Sequence, residues 1–215
     1  MKDIIEIRSI TRTQDGRVSL SVCVENDFGR ERCEFVLLDE LFCELEVQKG
    51  EIDKALLCEI ERCSQITAAY CSACASFAYS PSSLRALQSK MLQKGFSREV
   101  CEAAIDIVRA RGFVDEEQIA ARRAELFLDK LWGRSRIIMK LREEGFPDSA
   151  IKAAMEGICE ADFAENCARL ISKKYRGLPE ERLQRQKMYA SLARYGYSSS
   201  DIKEAMQILS ESSRN

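Results

Sequence analysis

Histidine is missing altogether from the 215 residues. Its absence removes the commonest general base near neutral pH and the commonest transition-metal ligand. Long apolar runs are missing too: no window approaches the ~20 consecutive apolar residues of a membrane-spanning helix. The opening MKDIIEIRSI carries charge and holds no apolar secretory core. Short enzyme signatures are also absent, with no G-x-x-x-x-G-K-S/T, no G-x-G-x-x-G after a strand and no G-x-S-x-G. Together these absences argue against an enzyme and against a secreted or membrane-embedded chain, and they point to the cytoplasm.

Cysteine, by contrast, is plentiful, with ten in the chain. They are irregularly placed, and a reducing compartment leaves paired disulfides unexpected. Cys71-Ser72-Ala73-Cys74 has the spacing of half a zinc site. Cys58 and Cys63 do not supply the other half and no histidine can, so small buried apolar side chains are the better reading. A zinc-stabilised module is the alternative for this motif. No cofactor is expected.

Charge is abundant and unevenly spread. Residues 1–80 carry 9 basic and 15 acidic side chains, whereas residues 81–215 carry 24 and 20. The net charge of −2 therefore describes neither half.

Residues 4–37 read as β. In RVSLSVCVE, Val18, Leu20, Val22 and Val24 alternate with small or polar residues and share one strand face. Asp15-Gly16 is a hairpin signal joining this strand to IIEIRSITRT. NDFGR marks a second turn and CEFVLL a third strand, which makes a three-stranded antiparallel meander. KGEID then stops one element and starts a helix, with Asp53 or a close neighbour as its N-cap. Leu56, Leu57, Ile60 and Cys63 form that helix's apolar stripe.

Beyond residue 67 the strand pattern gives way to a repeat. KMLQKGFSREV is echoed by KLREEGFPDSAI and by SLARYGYSSSDI, and Gly95, Gly145 and Gly196 are spaced 50 and 51 residues apart. Each glycine suits the left-handed residue just past a helix end, with an aromatic packing back on that end. In the first unit Leu84, Leu87 and Met91 precede the glycine, Ser97 caps the following helix, and Cys101, Ala104, Ile105 and Val108 form its stripe. The second unit offers Ile137 and Leu141, then Ile151, Ala154, Met155 and Ile158 at the same offsets. The third offers Met188 and Leu192, then Ile202, Ala205, Met206 and Leu209.

Leading helices near 67–78, 115–131 and 160–175 complete three helices per unit. The expected fold is mainly α, with tandem three-helix repeats in an elongated curved array behind a small N-terminal antiparallel β meander. The divisions are 1–50 for the meander, 51–110 for the first repeat with its lead-in helix, 111–159 for the second and 160–215 for the third.

Two blocks are basic for their length. Residues 122–142 hold Arg122, Arg123, Lys130, Arg134, Arg136, Lys140 and Arg142 against Glu125 and Asp129. Residues 169–194 hold Arg169, Lys173, Lys174, Arg176, Arg182, Arg185, Lys187 and Arg194 against Glu180 and Glu181. Each cation alone reads as a solvated helix face, but the clusters suit a polyanion, through steering and counterion release. Trp132 lies in the first block, either as core or as a surface for stacking. Tyr175, Tyr189, Tyr195 and Tyr197 carry the same ambiguity.

The segments YSPSSLRALQSKMLQKGF and RGFVDEEQIAARRAELFLDKLWGRSRIIMKLREEGF resemble the RecX family of bacterial recombinase regulators. The likeness rests on Leu84-Arg85, on Lys94-Gly95-Phe96, on the link Gly112-Phe113-Val114-Asp115-Glu116, and on Gly133 to Ile137. It spans about residues 48–158, is looser in the third repeat and weak in the meander. The sequence departs from the family at ASFAYS, where Ser76 and Phe77 stand in place of a basic pair.

The resemblance implies a non-enzymatic protein that binds RecA and the RecA filament on single-stranded DNA. Such a protein dampens ATPase, strand-exchange and coprotease activities, within DNA repair, homologous recombination and the SOS response. It implies no cofactor, no membrane and a monomer. Arg122, Arg123, Lys130, Trp132, Arg134, Arg136, Lys140, Arg142, Lys173, Lys174, Arg176, Arg182, Arg185 and Lys187 are the candidate contacts with RecA or DNA. The alternative is a stand-alone helical DNA-binding protein that uses the same cations on phosphate.

Overall fold

The computed structural model describes residues 4–26, 29–159, 162–175, 178–179 and 181–212. Contacts divide the chain into two compact units, residues 1–81 with 87–114 and residues 82–86 with 115–215.

The first unit opens with β1 (Ile4–Arg12), β2 (Arg17–Asn26) and β3 (Gly29–Leu38). The β1–β2 hairpin turns at Gly16, whose φ of +74° suits the expected Asp-Gly signal. Asp27 and Phe28 of the second expected turn lie outside the described residues. A short helix α1 (Asp39–Glu44) and a fourth strand β4 (Gly50–Ile52) follow, neither of them anticipated. β4 pairs antiparallel with Ile5–Ile7, so the sheet order is β3-β2-β1-β4 rather than a three-stranded meander. Three residues of KGEID are too short a run to announce a strand; the edge of β1 makes it one.

Helix α2 (Lys54–Tyr79) starts where expected, with the Asp53 side chain accepting from the Leu56 amide at 2.8 Å. It then runs unbroken through the segment expected to be a separate helix at 67–78. Nothing between 54 and 79 interrupts it, because the segment holds neither glycine nor proline. Its inner face closes the sheet: Ile60 and Cys63 join Ile5, Ile7, Val18, Leu20, Val22 and Leu37 in one buried cluster. Thr67, buried on the same helix, accepts the Leu38 amide at 2.9 Å and so ties the end of β3 down. Helices α3 (Leu84–Gln93) and α4 (Arg98–Ala110) follow, the first turn of α3 clustering with the second unit. Cys71 and Cys74 are half-buried, not fully buried as expected, because the buried positions of this part of α2 are Ile66, Thr67, Ala69 and Ala73 instead.

The second unit contains α5 (Glu116–Asp129), α6 (Arg134–Glu143) and α7 (Asp148–Gly157), then α8 (Phe163–Tyr175), α9 (Arg182–Arg194) and α10 (Ser199–Ser212). These are two three-helix repeats. Ile137, Leu141, Ile151 and Ala154 are buried in one, and Met188, Leu192, Ile202 and Ala205 in the other. Met206 and Leu209 are half-buried.

The repeated glycines each close a helix in the same way. Gly95, Gly145 and Gly196 have φ of +93°, +84° and +93°. The amides of Phe96, Phe146 and Tyr197 return to the carbonyls of Met91, Leu141 and Leu192 at 3.3, 3.2 and 3.3 Å. That is the Schellman pattern, in which a left-handed residue lets the next amide satisfy a helix-end carbonyl.

Candidate functional site

Repeats are joined through the start of one helix and the end of another. At residue 83 the serine side chain caps α3, accepting the Ala86 amide at 3.1 Å and donating to the Glu144 carbonyl at 2.6 Å. At the matching place in the next repeat stands Gly133, whose amide donates to the Tyr195 carbonyl at 2.8 Å. Ser135 donates to the Gly196 carbonyl at 3.2 Å, and the Tyr197 hydroxyl donates to the Leu131 carbonyl at 2.9 Å. Helix starts carry partial positive charge and helix ends partial negative charge, so each joint is electrostatically matched as well as hydrogen-bonded.

The second joint fixes the geometry of the basic blocks. Phe127 and Trp132 stack with centroids 4.7 Å apart and planes 8° from parallel. The Arg136 guanidinium lies 4.0 Å from the Trp132 ring and 4.9 Å from the Tyr195 ring. Lys174 sits 4.9 Å from Tyr195 in turn. The result is a ladder of alternating rings and cations running from the second repeat into the third. Lys130 lies 5.7 Å from the Phe127 ring and Arg134 4.7 Å from Phe163. A cation over a ring gains about 0.5–2 kcal/mol and keeps its charge, whereas a carboxylate partner would neutralise it.

This sorts the expected site residues into two groups. Arg123 is held by Glu144, with Nε 2.8 Å from a carboxylate oxygen; Lys140 pairs with Glu143 at 3.0 Å and Arg142 with Asp148 at 3.3 Å. Their charge is cancelled locally. Among the described residues, no ion pair involves Lys130, Arg134, Arg136, Lys173 or Lys174. Arg122, Arg182 and Lys187 are exposed, and Arg185 donates to the Pro179 carbonyl at 2.6 Å. Arg176 lies outside the described residues. Trp132, half-buried between Phe127 and Arg136, is a support for a cation.

Lys130, Lys173 and Lys174 also line a surface hollow of about 430 Å³ with Leu131, Leu170 and Tyr195; Asp129 is the acid at its rim. The supporting rings Phe127 and Phe163 were not singled out from the sequence, whereas Tyr195 was named there as either core or stacking surface and proves to be a support for Arg136 and Lys174. The rings' signal in the sequence is faint, because Arg134 and Phe163 lie 29 residues apart and Arg136 and Tyr195 lie 59 apart. Among the described residues no cluster of three or more metal-ligating side chains forms. Nor is any helix there long and apolar enough to cross a membrane.

The third repeat matches a family model described as RecX, third three-helix domain, over residues 160–206. A protein named regulatory protein RecX from Xanthomonas axonopodis pv. citri (strain 306) is 30% identical over 125 residues, covering 57% of this chain and 76% of that one. Its namesake from Stenotrophomonas maltophilia (strain K279a) is 27% identical over 124 residues, with the same coverage of 57% and 76%. A crystal structure of regulatory protein RecX has a TM-score of 0.71 at 22% identity, over 93% of this chain and 97% of its own. The crystal structure of RecX from Lactobacillus salivarius reaches 0.58 at 18% identity, over 68% and 97%.

Proposed function

This chain belongs to the RecX family of regulatory proteins, and from that premise we propose that it binds RecA and the filament RecA forms on single-stranded DNA. It restrains ATPase, strand exchange and coprotease activity without catalysis or a cofactor of its own. It does so in the cytoplasm, within DNA repair, homologous recombination and the SOS response, and it is a monomer when free. Residues 111–159 and 160–215 are the docking repeats, 51–110 the first repeat, and 1–50 a cap on the array's first helices.

The observation that carries this reading is the ladder of cations held on rings and left without carboxylates. A filament on DNA offers phosphates and acidic protein surface, and both reward such cations. Arg134 and Arg136 suit bidentate contact with either group, and rigid support lowers the entropy lost when they bind. Restraint follows if the protein binds one filament state better than another, because a ligand shifts an equilibrium only by that difference.

Direct action on DNA without RecA is the second reading, favoured by the same cations. Capture of purified RecA on the immobilised protein, without DNA, at about 0.05 and 0.3 M salt separates the two. RecA retained at both concentrations supports the regulator. Capture that requires DNA and falls steeply with salt supports the rival.

A further inference from the structure

A further turn closes its helix in the way the repeated glycines do. The Leu131 amide donates to the Leu128 carbonyl at 2.8 Å, and the Trp132 amide to the Phe127 carbonyl at 3.2 Å. Here the residue in the left-handed position is a leucine, with φ of +56°. Its Cβ makes that conformation costly, and glycine would close α5 without strain. Closing the helix therefore gives no reason for a side chain at this position. Leu131 does, however, line the hollow of about 430 Å³ at the second joint. A strained residue held beside a cavity points to a task for the cavity.

The hollow has two kinds of wall. Leu131, Leu170 and Tyr195 make an apolar side. Lys130 from the end of α5, with Lys173 and Lys174 from the last turn of α8, makes a cationic one. All three lysines are exposed, and among the described residues no ion pair holds any of them. Against them stand Asp129 at the rim and the carbonyl ends of two helices, each worth about half a negative charge. What remains is about one positive charge, in a space within the size range of small-ligand pockets. A phosphodiester carries one negative charge, and an ammonium is a compact point charge that suits phosphate oxygens. A nucleoside triphosphate would bring several charges too many. A carboxylate side chain would leave the apolar side unused.

We propose that this hollow seats one unstacked nucleotide of a single DNA strand, its phosphate on the lysines and its sugar and base against Leu131 and Leu170. The inference rests on the reading of this face as the one that meets the filament, and it names what the face takes there. Bases in a duplex are paired and stacked, so a duplex offers the hollow its phosphates alone. The lysines thus act on both forms of DNA, and the apolar side acts on the single strand only.

Fluorescence anisotropy of the full chain reads this without RecA, using a labelled strand of about 20 nucleotides, alone or paired with its complement, in about 0.1 M salt. The parent should bind the single strand at least about fivefold tighter than the duplex. Leu131→Gly, which a φ of +56° accommodates, should erase that preference by weakening the single strand alone. Lys173→Gln, a change at an exposed side chain, should weaken both forms and lower the salt slope by about one. Circular dichroism and melting temperature establish that both variants are folded. Equal affinity of the parent for the two forms overturns the proposal. So does a Leu131→Gly chain that keeps the preference, or a Lys173→Gln chain that keeps its affinity and slope. Half-displacement of the strand by less than about 0.1 mM ATP would assign the hollow to a free nucleotide and overturn the strand as its ligand. RecA capture without DNA is a separate readout: it can fail while this preference stands, and stand while this preference fails.

Discussion

A Cβ built on Gly133 would stand 2.3 Å from the carbonyl carbon of Gly196, two glycines from neighbouring repeats. The backbones meet with no room for a side chain on either, and one built on Gly196 would stand 2.4 Å from the Arg136 amide nitrogen. Gly196 is needed twice over, since its φ of +93° disfavours any residue with a Cβ. This contact brings Arg136 between Trp132 and Tyr195, so the packing of two small residues sets the position of the cations.

Gly133→Ala is expected to lower stability by about 1–3 kcal/mol, as overpacking does, which amounts to several degrees in melting temperature for a chain of this size. Gly157→Ala is the control. That glycine ends α7 with nothing within 4 Å of a Cβ and no left-handed φ, so the change should be neutral or stabilise by up to about 1 kcal/mol. Equal melting temperatures for Gly133→Ala and the parent would contradict the joint.

Ser83→Ala tests the first joint. The side chain is buried, caps α3 and donates to the Glu144 carbonyl, so its loss removes a cap and leaves a carbonyl short of a partner. A cost of about 1–2 kcal/mol in urea unfolding is expected. Ser97→Ala, at an exposed cap with a single 3.3 Å bond, should cost less. The reverse order would show that Ser83 is only a local cap.

Alkaline pH should weaken the third repeat. Burial, with a smaller push from Asp201, raises the Cys167 thiol from an ordinary 9.0 to about 12. Burial also raises the Tyr197 phenol, with Cys167 and Asp201 adding to it. Both groups ionise more readily in the unfolded chain. Their contribution is therefore complete below about pH 9 and declines as pH rises towards about 12. Between about pH 8 and 10.5 the parent should lose more stability in urea than Cys167→Ala, which no longer has a thiol to ionise. Equal losses would mean that Cys167 is not shielded.

Local signals carried much of this fold. The Gly-aromatic turns, Ser97 and Asp53 as caps, and the stripes of α4, α6 and α7 all follow from residues within two helical turns of each other. Features made by distant residues were not legible. β4 exists because β1 has an open edge beside it. The uninterrupted run of α2 depends on the lack of any breaker over two segments that look separate. The basic blocks were visible as composition. Which cations keep their charge was not, because Arg123 finds Glu144 and Arg142 finds Asp148 across turns, while Arg136 finds Tyr195 from the next repeat. Gly133 reads in sequence as a helix start; its contact with Gly196 needs both repeats in place.

The cations on rings make the most direct prediction about function. Lys130→Glu/Arg134→Glu/Lys174→Glu reverses three that have no carboxylate, while Lys140→Glu/Arg142→Glu reverses two that are already paired. The decisive measurement is inhibition of DNA-dependent RecA ATPase by each folded variant, titrated beside the parent. The triple variant should need at least about ten times more protein for half-inhibition, a loss of about 1.4 kcal/mol or more, and the double variant no more than about threefold. A triple variant as potent as the parent, or a double variant weakened as much as the triple, would contradict the assignment of this face to the filament.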